Sequence, residues 1–151
     1  EQTNQWFKCD AVALAAVQEI GIDADHYLFI ESDVLATQDR WKALFRDLEK
    51  SPYDCVTLTV GFRTANSTFR WWDHHGTPAQ ADRHHILAVY RLSKRAVEAS
   101  IEMAVELRNC FCEVAVPYVM QQAGLSCGLI NGREHHSTAR TMGPKKEFIH
   151  E

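Results

Sequence analysis

Residues 26–34, His26-Tyr27-Leu28-Phe29-Ile30-Glu31-Ser32-Asp33-Val34, form an apolar run that stops on two carboxylates separated by one serine. Tyr27 to Ile30 reads as a short, fully buried strand of the kind found in a parallel sheet. Glu31 and Asp33 then fall where such a strand leaves the core, the edge at which open α/β sheets bind ligands. Like charges this close repel unless water, a donor group or a cation offsets them. Two readings of the acids therefore stand side by side, a cation site and a solvated turn.

Working outward, Phe7, Ala11, Leu14 and Val17 recur at helical spacing, and Gly21 follows where a helix C-cap belongs, so a helix feeds the strand. Beyond the acids, Thr37 is placed to cap a helix with Trp41, Leu44, Phe45 and Leu48 on one face, ending before Ser51-Pro52. Asp54 to Val60 is β-branched and reads as a strand. Residues 61–84 lack periodicity, and a loop this long within one domain is usually functional, which suggests a flap. Ile86 to Leu92 reads as the next strand. Ser93 follows as an N-cap, and Val97, Ile101, Ala104 and Val105 mark the buried stripe of another helix. A further helix is expected over Glu113–Ala123, with Pro117 near its first turn and Gly124 closing it. Leu125 to Ile130 would be a last strand, and residues 131–151 an irregular tail.

Composition narrows the class. A chain of 151 residues with 46% hydrophobic content can bury one proper core, and none of its apolar runs approaches a membrane span. The expectation is one α/β domain over residues 1–151, soluble and without a transmembrane segment. Net charge is −4 and the basic residues are scattered, which disfavours a nucleic-acid partner. The five cysteines are odd in number, lie mostly in apolar contexts and show no CxxC spacing, so reduced, packed thiols and a cytoplasmic setting are expected.

The order of these pieces resembles the second half of a GT-A nucleotide-sugar glycosyltransferase. The strand ending in Glu31-Ser32-Asp33 is similar to that family's strand with its DxD-type motif. HILAVYRLSKRAVEAS, residues 85–100, is similar to the strand and helix that line its donor and acceptor pocket. CEVAVPYVMQQAGL, residues 112–125, is similar to the helix that opens on an acidic residue, closes on Gly and precedes a strand. The resemblance spans roughly residues 8–136 and rests mainly on order and spacing. It implies a mixed, mainly parallel sheet flanked by helices, and a nucleotide-sugar donor whose sugar passes to a carbohydrate or other hydroxyl acceptor. It also implies a divalent cation, Mn²⁺ or Mg²⁺, held by Asp33 against the donor diphosphate, with Glu31 facing the ribose or a metal-bound water. Glu113 would be the base that binds or deprotonates the acceptor; a first-turn Glu favoured by the helix dipole explains the same position. The sequence departs from the family at Glu31, where Asp is usual, and has no counterpart of the N-terminal strand and loop that hold base and ribose. Starting at Glu1, it reads as a chain lacking that unit.

Six of the eight histidines stand in pairs, and among them His136, after the last strand, is the preferred metal ligand by resemblance. Adjacent tryptophans are costly to expose. One ring of Trp71-Trp72 should therefore pack down while the other offers a platform for an acceptor sugar, with Asp73 taking its hydroxyls; core packing of both rings explains them as well. Arg63 or Arg70 could meet a diphosphate. Competing readings are a noncatalytic carbohydrate-binding or interaction domain using the tryptophans, and a metal-dependent hydrolase, which would want HxH or HxxxH spacing that the sequence lacks.

Overall fold

The structure, a computed structural model, describes residues 9–32, 34–73, 76–130 and 149–150. Its elements run α1 (Cys9–Ile20), β1 (His26–Ile30), β2 (Val34–Leu35), α2 (Gln38–Lys50), β3 (Cys55–Phe62), a 3₁₀ turn (Arg70–Asp73), β4 (Arg83–Ser93), α3 (Lys94–Met103), α4 (Cys112–Gln122), β5 (Cys127–Leu129) and β6 (Ile149–His150). The fold is α/β, as the sequence suggests. A four-stranded sheet in the order β1-β4-β3-β5 is flanked by helices, and β2 pairs antiparallel with β6 in a separate two-stranded ladder. That ladder corrects the expectation of an irregular tail for Ile149 and His150.

The sheet is mixed, but not in the way expected. β4 lies antiparallel to both β1 and β3, and only β3–β5 is a parallel pair. β1, β3 and β5 thus point one way with β4 opposed, so a mainly parallel ladder is corrected to a mainly antiparallel one. The reason lies in the connection. A parallel return needs a crossover, usually a helix, whereas β3 returns to β4 through the long loop, whose ends continue the ladder by Arg63 N–H donating to Asp82 O at 2.7 Å.

β1 is also less buried than its composition predicts, with both ends exposed and the three central residues half-buried. Among the described strands it lies at one outside of the sheet and is paired with β4 alone. Leu14 of α1, Ala96 and Val97 of α3, and Val114, Ala115, Val116, Val119 and Met120 of α4 pack with Cys55, Leu87, Tyr90 and Leu92 on one face. Leu44 and Leu48 of α2 pack with Val34, Val56, Ala88, Val89 and Ile130 on the other. Phe45, expected on the buried face of α2, is exposed. Ala104 and Val105 are exposed as well, because α3 ends at Met103 before the stripe can reach them.

Two buried ionic side chains bind these layers. Arg91 of β4 donates through Nη1 to Leu48 O, and through Nη2 to Ser51 O at 3.1 Å and Tyr53 O at 2.5 Å. Its charge thereby meets the negative end of α2. Asp54 accepts from Ser93 Oγ at 2.9 Å, from Arg95 at 2.5 and 2.7 Å, and from Ser126 N and Oγ at 3.0 and 2.7 Å. Burial works against ionisation of Asp54, yet the bonds from Arg95, Ser126 and Ser93 overcome it and hold the carboxyl far below the usual range. The stabilisation from this group is present above its ordinary pKa of 3.8 and is lost as pH falls below it.

Asp54→Asn should therefore lower unfolding free energy at neutral pH by about 2–4 kcal/mol, because the buried side chain loses the charge and part of the acceptor capacity that Arg95, Ser126 and Ser93 use. Urea titration at pH 7 and again at pH 3 measures it, and the deficit of the variant should be smaller at pH 3.

Candidate functional site

With β1, β3 and β5 pointing the same way, their C-terminal ends share one edge of the sheet, opposite the end held by Asp54. Two sequence features leave from this edge. Glu31 follows β1, and the loop from Arg63 to Asp82 follows β3. Glu31 is half-buried; its N–H donates to Ala88 O at 2.9 Å and its carbonyl accepts from Val34 N at 3.1 Å. The bond between Val34 and Glu31 marks a turn after β1, and β2 follows at Val34. Asp33 and His136 lie outside the described residues. Among the described residues no three His, Cys, Asp or Glu side chains converge on a metal position.

Although the loop lacks periodicity, it is anchored by aromatic packing. Phe69 stacks on His84 with ring centroids 3.8 Å apart and meets Trp72 edge-on at 5.3 Å. Trp72 is only 5% exposed and donates from Nε1 to Ser67 Oγ at 2.7 Å. Of the two adjacent tryptophans, Trp72 is thus one that packs down, and its ring serves the core. The side chain of Trp71 is outside the described set. Asp73 is exposed and pairs with Arg63 at 3.6 Å, while the Arg63 guanidinium lies 5.6 Å from the centre of the Trp72 ring. A flap that leaves the sheet would have to give up this packing, which the sequence could not show because the contacts join residues spread from Arg63 to His84.

The loop also reaches the start of α4. Phe69 lies 6.2 Å from Phe111, the residue before the helix. Gly76, at φ +98°, passes so close to Asn109 that a Cβ would stand 2.6 Å from its carbonyl oxygen. Glu113 is half-buried in the first turn of α4, where the helix dipole favours a carboxylate. The helix that carries Glu113 therefore opens against the same loop that leaves β3.

His84 is the residue of this region that sequence reasoning passed over. Its ring lies across Gly61, where any Cβ would overlap the imidazole, and its Nδ1 is buried with no hydrogen-bond partner among the described residues. Desolvation by burial lowers its pKa from 6.5 to about 4. His84 stands beside His85 in the sequence, but no local signal distinguishes a histidine stacked under Phe69 from one at the surface.

Because the folded protein resists the proton and the unfolded chain does not, stability due to a neutral His84 is full above 6.5 and declines as pH falls toward about 4. The wild-type unfolding free energy should therefore fall more steeply than that of His84→Gln across this window, the slopes differing by up to about 1.4 kcal/mol per pH unit. Urea titrations of both proteins at several pH values measure the difference, and equal slopes would refute it.

Compared with protein-family models, with curated proteins and with solved structures, the chain finds no match in any of the three.

Proposed function

We propose that this chain is the catalytic portion of a metal-dependent glycosyltransferase of GT-A type, moving a sugar from a nucleotide diphosphate donor to a hydroxyl acceptor. The observation that carries the reading is a convergence at one sheet edge. The acidic turn after β1, the aromatic-anchored loop after β3 and the opening of α4 with Glu113 all stand at the C-terminal ends of β1 and β3. Strand ends of this kind are where open α/β sheets place their ligands. Two of the segments that carry the sequence resemblance, the strand that ends at Glu31 and the helix that carries Glu113, support this reading, whereas in the third β4 passes into α3 at the opposite, Asp54 end.

In this reading Asp33 and Glu31 face the donor diphosphate and ribose, with His136 as a further ligand. Carboxylate oxygens together with phosphate suit a hard Mg²⁺ or Mn²⁺ in donor chemistry, and Glu31 stands half-buried at the required edge. When bound, the cation offsets charge on the departing nucleotide diphosphate. Glu113 accepts the proton that the acceptor hydroxyl releases as its oxygen attacks the anomeric carbon. That proton transfer contributes about 10²-fold to 10⁴-fold in rate. Trp71 and Asp73 hold the acceptor, Asp73 through its exposed carboxylate. Trp72 acts indirectly, by fixing the loop that carries them.

Titration calorimetry with uridine and guanosine diphosphate sugars, with Mn²⁺ and then with excess chelator, tests the donor site. Binding should require the metal, and Asp33→Asn should weaken it at least tenfold while the thermal midpoint moves little. Metal-independent binding, or none, would count against the reading. Glu113→Gln retains shape but cannot accept a proton, so turnover should fall at least about a hundredfold with donor affinity within a few-fold. Equal loss of donor binding and turnover would make Glu113 a binding residue only.

A further inference from the structure

β3 and β5 each open on a cysteine, and the two are direct partners in the parallel ladder, Cys55 opposite Cys127. Both are free thiols, both pack against the same apolar core, and their side chains share a hydrogen bond. Adjacent strands lie about 4.8 Å apart. That spacing falls within the roughly 4.4–6.8 Å between Cα atoms that a disulfide spans.

Their surroundings differ in a way that gives each a separate role. Cys55 is fully buried and its Sγ lies 3.9 Å from His85 Nδ1, whereas Cys127 is only partly buried. The hydrogen bond from Cys55 favours the thiolate at Cys127 and outweighs its partial burial, and the Arg83 charge adds to it; the same bond, with burial, pushes the Cys55 thiol up. Reactive thiols combine thiolate character, access and a neighbouring thiol that resolves the first oxidation product. Here thiolate character and a neighbouring thiol meet on one strand pair, at the less buried of its two cysteines.

We propose that Cys55 and Cys127 form a hydroperoxide-reactive pair, in which Cys127 takes up oxygen and Cys55 resolves it into a reversible disulfide. In the first step the Cys127 thiolate attacks one peroxide oxygen. The S–O bond forms, the O–O bond breaks, and hydroxide leaves and is protonated to water. In the second, the Cys55 sulfur attacks the Cys127 sulfenic acid. The S–S bond forms, the S–O bond breaks, and the Cys55 proton departs with that oxygen as water. Two thiols are oxidised and one hydrogen peroxide is reduced to two waters. The alternative of a bound soft metal lacks a third ligand among the described residues.

Side chains on neighbouring strands stand nearly parallel, so closing the bond must draw β5 toward β3. β5 is three residues long, lies at the outside of the sheet and is paired only with β3 among the described strands, so it has room to move. Bonds closed under such strain are the readily reduced ones. A thiol reductant should reopen it. The inference stands apart from the transferase reading, since the pair lies at the start of β3 and β5, away from the edge that carries Glu31.

The test is peptide mapping of the whole native chain after brief exposure to hydrogen peroxide, with alkylation under denaturing conditions and mass spectrometry. A Cys55–Cys127 linked peptide, lighter than its two components by two hydrogens and lost on treatment with dithiothreitol, is the expected result. In Cys55→Ser, which cannot resolve, a dimedone-type probe should capture Cys127 several-fold more than buried Cys110 or Cys112. The proposal is overturned if wild-type Cys127 proceeds to sulfinic acid while Cys55 remains alkylatable. It is equally overturned if both stay reduced at peroxide doses that oxidise free cysteine, or if Cys127 links to another cysteine instead.

Discussion

One carboxylate holds the end of this sheet together. Asp54 sits just ahead of β3, and its two oxygens reach Ser93 and Arg95, where β4 passes into α3, and Ser126, immediately before β5. Three strands and one helix are thus brought to a common point by a group that is itself buried. Side-chain and backbone donors replace the water that the carboxylate gave up, which is the condition under which a buried charge is tolerated. Ser93 also serves its own helix, because its Oγ accepts from Ala96 N at 3.3 Å, so the N-cap of α3 and the Asp54 cluster share one hydroxyl. Fixing that end leaves the opposite edge, with its long connection, as the place where sequence can vary and chemistry can be mounted.

Arg91 does for the second layer what Asp54 does along the sheet. Without it, α2 would be attached by Leu44, Leu48 and their neighbours alone. With it, the carbonyls at the end of α2 find donors in a cation from the middle of the sheet, fixing where the helix stops and where β3 begins. The resulting arrangement is asymmetric. Three helices and the anchored loop cover one face, and one helix the other.

How much of this could be read in advance depends on the range of the forces involved. The position of β1, His26 to Ile30, is legible to within one residue, because its apolar run is bounded on both sides by acids and turn formers, whereas its partial exposure is not. Ser93 caps α3 as its position suggests, while Thr37 starts α2 without a side-chain capping bond, the backbone Trp41 N–H to Thr37 O bond at 3.0 Å sufficing. β3 and β4 run further into the loop than their apolar content indicates, since Gly61, Arg83 and His84 carry no strand periodicity and are held by cross-strand pairing, Gly61 with His84 and Phe62 with Arg83. The Asp54 cluster was invisible for a related reason. Its members are separated by as many as 72 positions, and each alone looks like an ordinary polar residue at a turn. Of the candidate site, the edge location of Glu31 and the position of Glu113 in a first helical turn were both legible. The burial of Trp72 and the stacking of His84 were not, because only tertiary packing decides which ring is covered.

The irregularity in β4 has a consequence for any future change to this strand. Between the pairs Thr57–Tyr90 and Thr59–Ile86, β4 holds three residues against one on β3, and Thr57 Oγ1 donates to Ile86 O at 2.6 Å within that step. Ala88 and Val89, neighbours in sequence, accordingly both pack on the α2 side, while Leu87 and Tyr90 pack on the other. The strand is therefore two paired segments joined by a spacer two residues longer than its counterpart on β3, an even offset that keeps Ile86 and Tyr90 opposite same-face residues Thr59 and Thr57, and the length of the spacer sets the parity of everything before it. Removing one residue from 87–89 would leave the composition almost untouched yet invert the alternation from Arg83 to Ile86, turning His85 from the core and detaching the loop from its floor. The spacer is a counting device, and point substitutions and single-residue deletions in it belong to different orders of severity.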